Sequence, residues 1–230
     1  MNLTEVKTMD KVEIRSFDCG VDAEECKEGK RTLTGRAIVF GQRTNIGPFD
    51  EIIEREAITP EVLRDVPLLL NHDLSGIPLG RSRNNNKNSS MQLILDDEGL
   101  AFRTVLDTAN NMNAKALSSA VDRGDISGMS FMMMRVKDRW ENARSEHPTR
   151  HVIGIGRIVE ISAVTHPAYA QTSIENRGIS GPLDSALESL ESARAAEIAE
   201  ERKRKAAAIL ALNNMGGKNH DDGRAEREGG

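Results

Sequence analysis

Three side chains in this sequence have the chemistry of a nucleophilic hydrolase, and each punctuates an otherwise apolar stretch. Ser130 lies in Asp125-Ile-Ser-Gly-Met-Ser-Phe131, between the flexible Gly128 and the run Met132-Met-Met134. His72 ends Val66-Pro-Leu-Leu-Leu-Asn-His-Asp73, and Glu160 is the single acid inside Arg157-Ile-Val-Glu-Ile-Ser-Ala-Val164. A serine alcohol is a weak nucleophile until a neighbouring base takes its proton. An imidazole, titrating near about pH 6.5 when unperturbed, suits that task, and a carboxylate that accepts its other ring N–H fixes the tautomer. Gly128 is expected to turn the chain sharply and bring backbone N–H groups toward a developing oxyanion.

Each residue also has a plainer reading. Ser130 could be a buried strand serine bonded to a backbone carbonyl, with Ser127 in the same loop as the rival nucleophile. His72 could cap a turn at a strand end. A lone acid among Ile158, Val159, Ile161 and Val164 needs a partner, and Arg157 or Arg135 could supply a salt bridge instead of a histidine. Asp73 should point the other way along the chain from His72. His147 and His151 stand four apart, but Pro148 disrupts a helix there and no third ligand follows at suitable spacing, so no metal site is expected. Gly154-Ile-Gly-Arg157 lacks the rest of a phosphate loop and reads as a bend in a strand. No cofactor is expected.

The elements that must position these residues are mostly strands. Lys11 to Phe17 alternates apolar and polar, residues 18–30 read as a charged loop, and Leu33 to Phe40 resumes a strand. Gly41 to Phe49 is turn-rich, and Thr59-Pro60-Glu61 opens a short helix. Val66 to Asn71 is a buried strand, and residues 82–90 form a polar loop. Met91–Leu95 and Leu100–Leu106 flank Asp96-Asp-Glu-Gly99 as a hairpin. Met112, Ala116, Leu117, Ala120 and Val121 fall at helical spacing before a Gly124 stop. Ile126 to Val136 is apolar on both parities, which implies cover on both faces, as in a closed barrel wrapped by helices. Residues 141–151 form a charged loop and 152–165 the last strong strand. The expected fold is mixed α and β: a closed β-barrel-like core of six or more strands with a few helices.

After Pro167 the composition changes. Leu183 to Leu212 is rich in Ala, Glu, Arg and Lys with a thin apolar stripe, which suits a long surface helix or a weak coiled coil, and Asn213 to Gly230 should be disordered. The division expected is a domain over 1–178 and a helical and disordered tail over 179–230. The 38% hydrophobic content and seven aromatics fit a normal core diluted by that tail. A net charge of −5 with mixed signs argues against nucleic acid as a main partner. No apolar run approaches a membrane span and no secretory signal is visible, so Cys19 and Cys26 read as reduced bystanders.

Together, Val66-Pro-Leu-Leu-Leu-Asn-His-Asp73, Pro78-Leu-Gly-Arg81, Gly128-Met-Ser-Phe131 and Val159-Glu-Ile-Ser-Ala-Val-Thr-His-Pro-Ala168 resemble, in order and spacing, the tailed-phage prohead maturation proteases. That family resembles the herpesvirus capsid assembly proteases in fold, and the likeness covers about residues 10–175. It implies a serine endopeptidase in the host cytoplasm, inside the assembling procapsid. Its substrates would be scaffold protein or the scaffolding segment of the major capsid protein, and often the enzyme itself; self-association would fit. In that family Ser130 matches the nucleophile, His72 the general base and Glu160 the acid that orients it. Herpesvirus-type relatives use a second histidine, a part His151 or His166 could take. Met132-Met-Met134 departs from the pattern, where a small residue after the Phe is more usual. The competing expectation is a catalytically idle assembly factor, favoured by the long charged tail. An unrelated esterase is remoter, since no Gly-x-Ser-x-Gly elbow is present.

Overall fold

The computed structural model describes residues 11–18, 20–165 and 183–216, with the side chains of 25–27 and 214–216 excepted. The expectations for Cys19, Cys26, His166, the boundary near 178–182 and the chain beyond 216 fall outside the described positions. In chain order the elements are β1 (Val12–Phe17), β2 (Val21–Lys27), β3 (Lys30–Val39), β4 (Thr44–Asn45) and β5 (Asp50–Ile53). After two short 3-10 turns come β6 (Pro67–Leu70), β7 (Gly80–Arg81), β8 (Met91–Leu95) and β9 (Gly99–Asp107). Helix α1 (Met112–Asp122), β10 (Gly128–Glu141), β11 (Thr149–Val164) and helix α2 (Asp184–Gly216) complete the chain.

The strands form two sheets rather than the closed barrel expected. One runs β1-β10-β11-β5-β4, with β6 also paired to β11 and β7 to β6; the other runs β2-β3-β9-β8. Apolar residues on both parities of β10 were a sound sign of cover, but they do not say what covers. Met129, Phe131 and Met133 pack in one core with Leu33, Ile38, Leu100, Phe102 and Leu106 of the second sheet. Facing sheets therefore bury that side of β10 without the ladder having to close. Each fully buried Phe or Leu there contributes roughly 1.5–3 kcal/mol.

Residues 18–30, expected as a loop, contain β2, which pairs antiparallel with β3. Charge misled the reading: β2 is the outer strand of its sheet, where solvent-facing charges are tolerated and discourage edge-to-edge pairing. The hairpin β8–β9 and helix α1 form where patterning placed them. Asn111 caps α1 by accepting from the backbone of Asn113 and Ala114 at 3.0 and 3.2 Å. Gly124, at φ +74°, ends it in the left-handed conformation. β11 is longer than expected. It pairs parallel with β5 near its start, Thr149–Val152, and parallel with β6 near its end, Ile161–Ala163.

A buried ion cluster joins β1, β5, β10 and β11 to α2. Arg150 donates to both oxygens of Glu13 at 2.5 and 3.0 Å, to Glu51 at 3.0 Å and to Asp138 at 2.7 Å. Arg15 bonds Glu51 twice, at 2.5 and 2.8 Å, and Glu13 at 2.8 Å. Three carboxylates thus face two guanidiniums. The first turns of α2 supply the missing donors, the Ser185 hydroxyl to Glu13 and the Ser189 hydroxyl to Asp138. Burial opposes ionisation of Glu13, yet the hydrogen bond and charge of Arg150, with Arg15 and Ser185, hold its carboxyl at about 2. Trp140 donates to Ser189 at 3.1 Å and meets Phe49 edge-on, while Ala186 and Leu190 are buried. Farther along α2, Ile209, Leu210 and Leu212 are exposed.

Candidate active site

His72 is presented by a turn that follows β6. Asn71 and His72 both adopt positive φ, +50° and +60°. Consecutive left-handed residues other than glycine carry strain of the order of 1 kcal/mol or more each, and such strain tends to sit at functional sites. The turn is stapled to the end of β11: Asn71 N–H donates to the Ala163 carbonyl at 3.0 Å, and its side-chain oxygen accepts from Thr165 N–H at 3.0 Å. Asp73 accepts from the backbone N–H and the hydroxyl of Ser75 at 3.1 and 2.6 Å.

The His72 ring meets Glu160. Nδ1 lies 2.7 Å from Glu160 Oε1. An ionised carboxylate can only accept, so Nδ1 is the donor of this bond, and in the neutral ring Nε2 is then the nitrogen left to accept a proton. The His72 side chain is 16% exposed and that of Glu160 fully buried. Among the described residues, Glu160 is bonded to His72 and Ser162 rather than to the alternative partners Arg157 or Arg135.

A bulge aims Glu160. Between Met132 and Met133 the register with β11 shifts, so that Met132 opposes Glu160 while Met133 opposes Ile158, leaving Val159 as an extra residue. Ile158 and Ile161 both reach the apolar core. Strict alternation would put Ile158 and Glu160 on the same face; the extra residue frees Glu160 to share the other face with Ser162.

Ser130 lies on that same face, one strand away. It is the register partner of Ser162 on β11 and of Ser16 on β1, making a row of three serines across three strands roughly 5 Å apart. Ser130 is fully buried. Its hydroxyl donates to the Arg15 carbonyl at 2.8 Å and accepts from the Ser16 hydroxyl at 2.9 Å. Among the described residues, neither bond involves His72. Ser127, the rival, is exposed just before β10. Gly128 makes no sharp turn: it is the first residue of β10, paired with Val164, because the ladder already holds it extended.

Ser162, Ser16 and Arg15 were given no role from sequence. Ser162 had a usable signal, standing two residues from Glu160 on the same strand and therefore on the same face. His151 bonds Glu54 at 2.6 Å and Glu141 at 3.2 Å, and His147 bonds Asp50 at 2.8 Å, so neither joins His72. Beside the His72 turn lies an open cleft of about 500 Å³, lined by Leu69, Leu70, Asn71, Asp73, Ile77 and Leu79 among others.

A family model for the caudovirus prohead serine protease matches residues 17–182. The chain belongs to that family, a family of serine-type proteases of prohead maturation. The solved structure of the bacteriophage T4 capsid assembly protease is similar at 10% identity and a TM-score of 0.41, covering 67% of this chain and 97% of that one. A comparison with curated protein sequences gives no match. Among the described residues, no helix is long and apolar enough to cross a membrane.

Proposed function

We propose that the chain is a serine endopeptidase that acts inside the assembling procapsid, with Ser130 as nucleophile, His72 as general base and Glu160 as the acid that orients it. Its substrates are scaffold protein or the scaffolding segment of the major capsid protein, and the chain itself. The single observation that carries this reading is the 2.7 Å pair of His72 Nδ1 with a fully buried Glu160, on the sheet face that also bears Ser130. A buried acid bonded to an imidazole, one strand from a serine, is the arrangement that activates an alcohol.

In the reaction His72 Nε2 accepts the Ser130 proton as Oγ attacks the scissile carbonyl carbon. The tetrahedral adduct collapses, the C–N bond breaks, and His72 returns the proton to the leaving amine. Water then attacks the acyl-enzyme by the same route. In the arrangement described above the Ser130 hydrogen points at the Arg15 carbonyl. The reaction therefore requires that bond to be exchanged for one to Nε2, a rotation about the serine side chain. The cleft beside the His72 turn, with Leu69, Leu70, Ile77 and Leu79 beside Asn71 and Asp73, has room to seat a side chain of an extended substrate. Residues 1–178 form the protease domain, and 179–230 act as a tether to scaffold or capsid protein, to which the solvent-facing end of α2 is suited.

Co-expression with the candidate capsid protein, followed by intact-mass measurement of both chains, tests the proposal. Ser130→Ala and His72→Ala should each abolish processing, since losing either member of such a pair lowers turnover by on the order of 10⁶. Circular dichroism should show both variants folded. Cleavage retained in either variant would break the assignment. The full burial of Ser130 favours the second reading, an idle assembly factor. A fluorophosphonate probe separates the two, because only the enzyme forms an adduct at Ser130.

A further inference from the structure

We infer that Ser162 is a positioning residue of this site, a hydroxyl that holds the backbone of His72 directly and its ring by way of Glu160. The inference rests on the assignment of Ser130, His72 and Glu160 proposed above. Three hydrogen bonds close a ring: His72 Nδ1 to Glu160 Oε1 at 2.7 Å, Ser162 Oγ to Glu160 Oε2 at 2.5 Å, and His72 backbone N to Ser162 Oγ at 3.0 Å. A hydroxyl has one proton to give and lone pairs to receive. Here the proton goes to the carboxylate and a lone pair takes the His72 amide. Ser162 is fully buried, so water is not at hand to replace either bond.

Each bond answers a need that no other bond among the described residues meets. β6 ends at Leu70, so the ladder supplies no acceptor for the His72 amide, whose residue is already strained at φ +60°. Glu160 is buried, and its second oxygen would be an orphaned acceptor without a donor. With both satisfied by one side chain, the carboxylate cannot swing away from the imidazole, and the imidazole cannot turn without pulling its own backbone. Ser162 is also the register partner of Ser130, so one short segment of β11 references all three members to each other.

The test uses the full chain and a fluorophosphonate, whose phosphorus is attacked by Ser130 Oγ as fluoride leaves and the serine proton passes to His72. The limiting rate of adduct formation and the half-saturating probe concentration are measured for the wild type, Ser162→Ala, Glu160→Gln and the double variant, with urea unfolding of each. Ser162→Ala should slow the limiting rate roughly 10- to 100-fold, the worth of a hydrogen bond to a charged group. The half-saturating concentration should stay within about twofold. Because Ser162 acts through Glu160, the double variant should be slower than Glu160→Gln by no more than about threefold. Ser162→Cys, near in size and a weaker donor, should fall between wild type and Ser162→Ala, and carries the test if the alanine variant does not fold. A folded Ser162→Ala that labels at the wild-type rate, or effects that multiply in the double variant, would overturn the inference while Ser130→Ala stays silent. A wild type that does not label, or a Ser130→Ala chain that labels equally, would overturn the triad and this inference with it.

Discussion

Replacing Arg150 with methionine removes the central cation of the buried cluster, leaving Glu13 and Glu51 to share Arg15 and Asp138 with the Ser189 hydroxyl. Arg150 is 1% exposed and makes four hydrogen bonds to those carboxylates. Breaking a buried pair on one side costs about 3–5 kcal/mol, because the partner charge stays buried without compensation. A loss near the middle of that range, about 4 kcal/mol, is expected at pH 7. Glu13 gives the pH dependence. Its carboxyl is held at about 2 rather than the 4.5 of a free glutamate, worth about 3 kcal/mol of stability above pH 4.5. A folded-state value below the unfolded one means that this stability fades as pH falls from 4.5 toward 2, with roughly half of it left at pH 3. Most of it depends on Arg150, so the gap between wild type and variant should narrow by about 1–2 kcal/mol between pH 7 and pH 3. Urea unfolding read by the fluorescence of Trp140, the only tryptophan, reports the same region. A loss below about 1 kcal/mol at pH 7, or a gap unchanged at pH 3, would refute the reasoning.

Two further predictions concern packing. A chain ending at Lys205 keeps the anchors of α2 and should unfold within about 1 kcal/mol of the full chain, since the described side chains it loses, Ile209, Leu210 and Leu212 among them, are exposed. One ending at Pro182 loses Ser185, Ala186, Ser189 and Leu190, and should lose about 3 kcal/mol or more in urea. In Gly99→Ala the new methyl strikes the Ile38 carbonyl, a backbone atom that cannot yield, at a φ of +153°. We expect a loss of about 2 kcal/mol or more and a lower Tm by calorimetry; a change under about 0.5 kcal/mol would contradict the close approach of β3 and β9.

The elements legible in the sequence were those whose signals are local. Periodicity and Gly124 marked α1, and Asp96-Asp-Glu-Gly99 between two apolar runs marked the β8–β9 hairpin. β5 was passed over because Asp50-Glu51-Ile-Ile53 has meaning only beside β11, where Glu51 meets an arginine 99 residues away. Glu13 and Arg15 are simply the polar positions of an alternating strand until their distant partners Arg150 and Glu51 are beside them. Period-two reading also has no place for a bulge, so the facing of Glu160 was open until Val159 was seen as an extra residue. The candidate site residues stood out as polar interruptions of apolar runs, and the family resemblance sorted them. What could not be read was the resting bond of Ser130, whose partners on β1 lie more than a hundred residues upstream.

β11 carries Arg150 near its beginning and Glu160 and Ser162 near its end, in a single strand whose ladder with β10 shifts register twice between them. Losing or gaining a single residue between positions 150 and 160 would invert every side chain on one side of the change. Either the carboxyl for His72 or the cation for Glu13 would then face the wrong way. The protein should therefore accept many exchanges of residue type along this stretch and almost no change in its length.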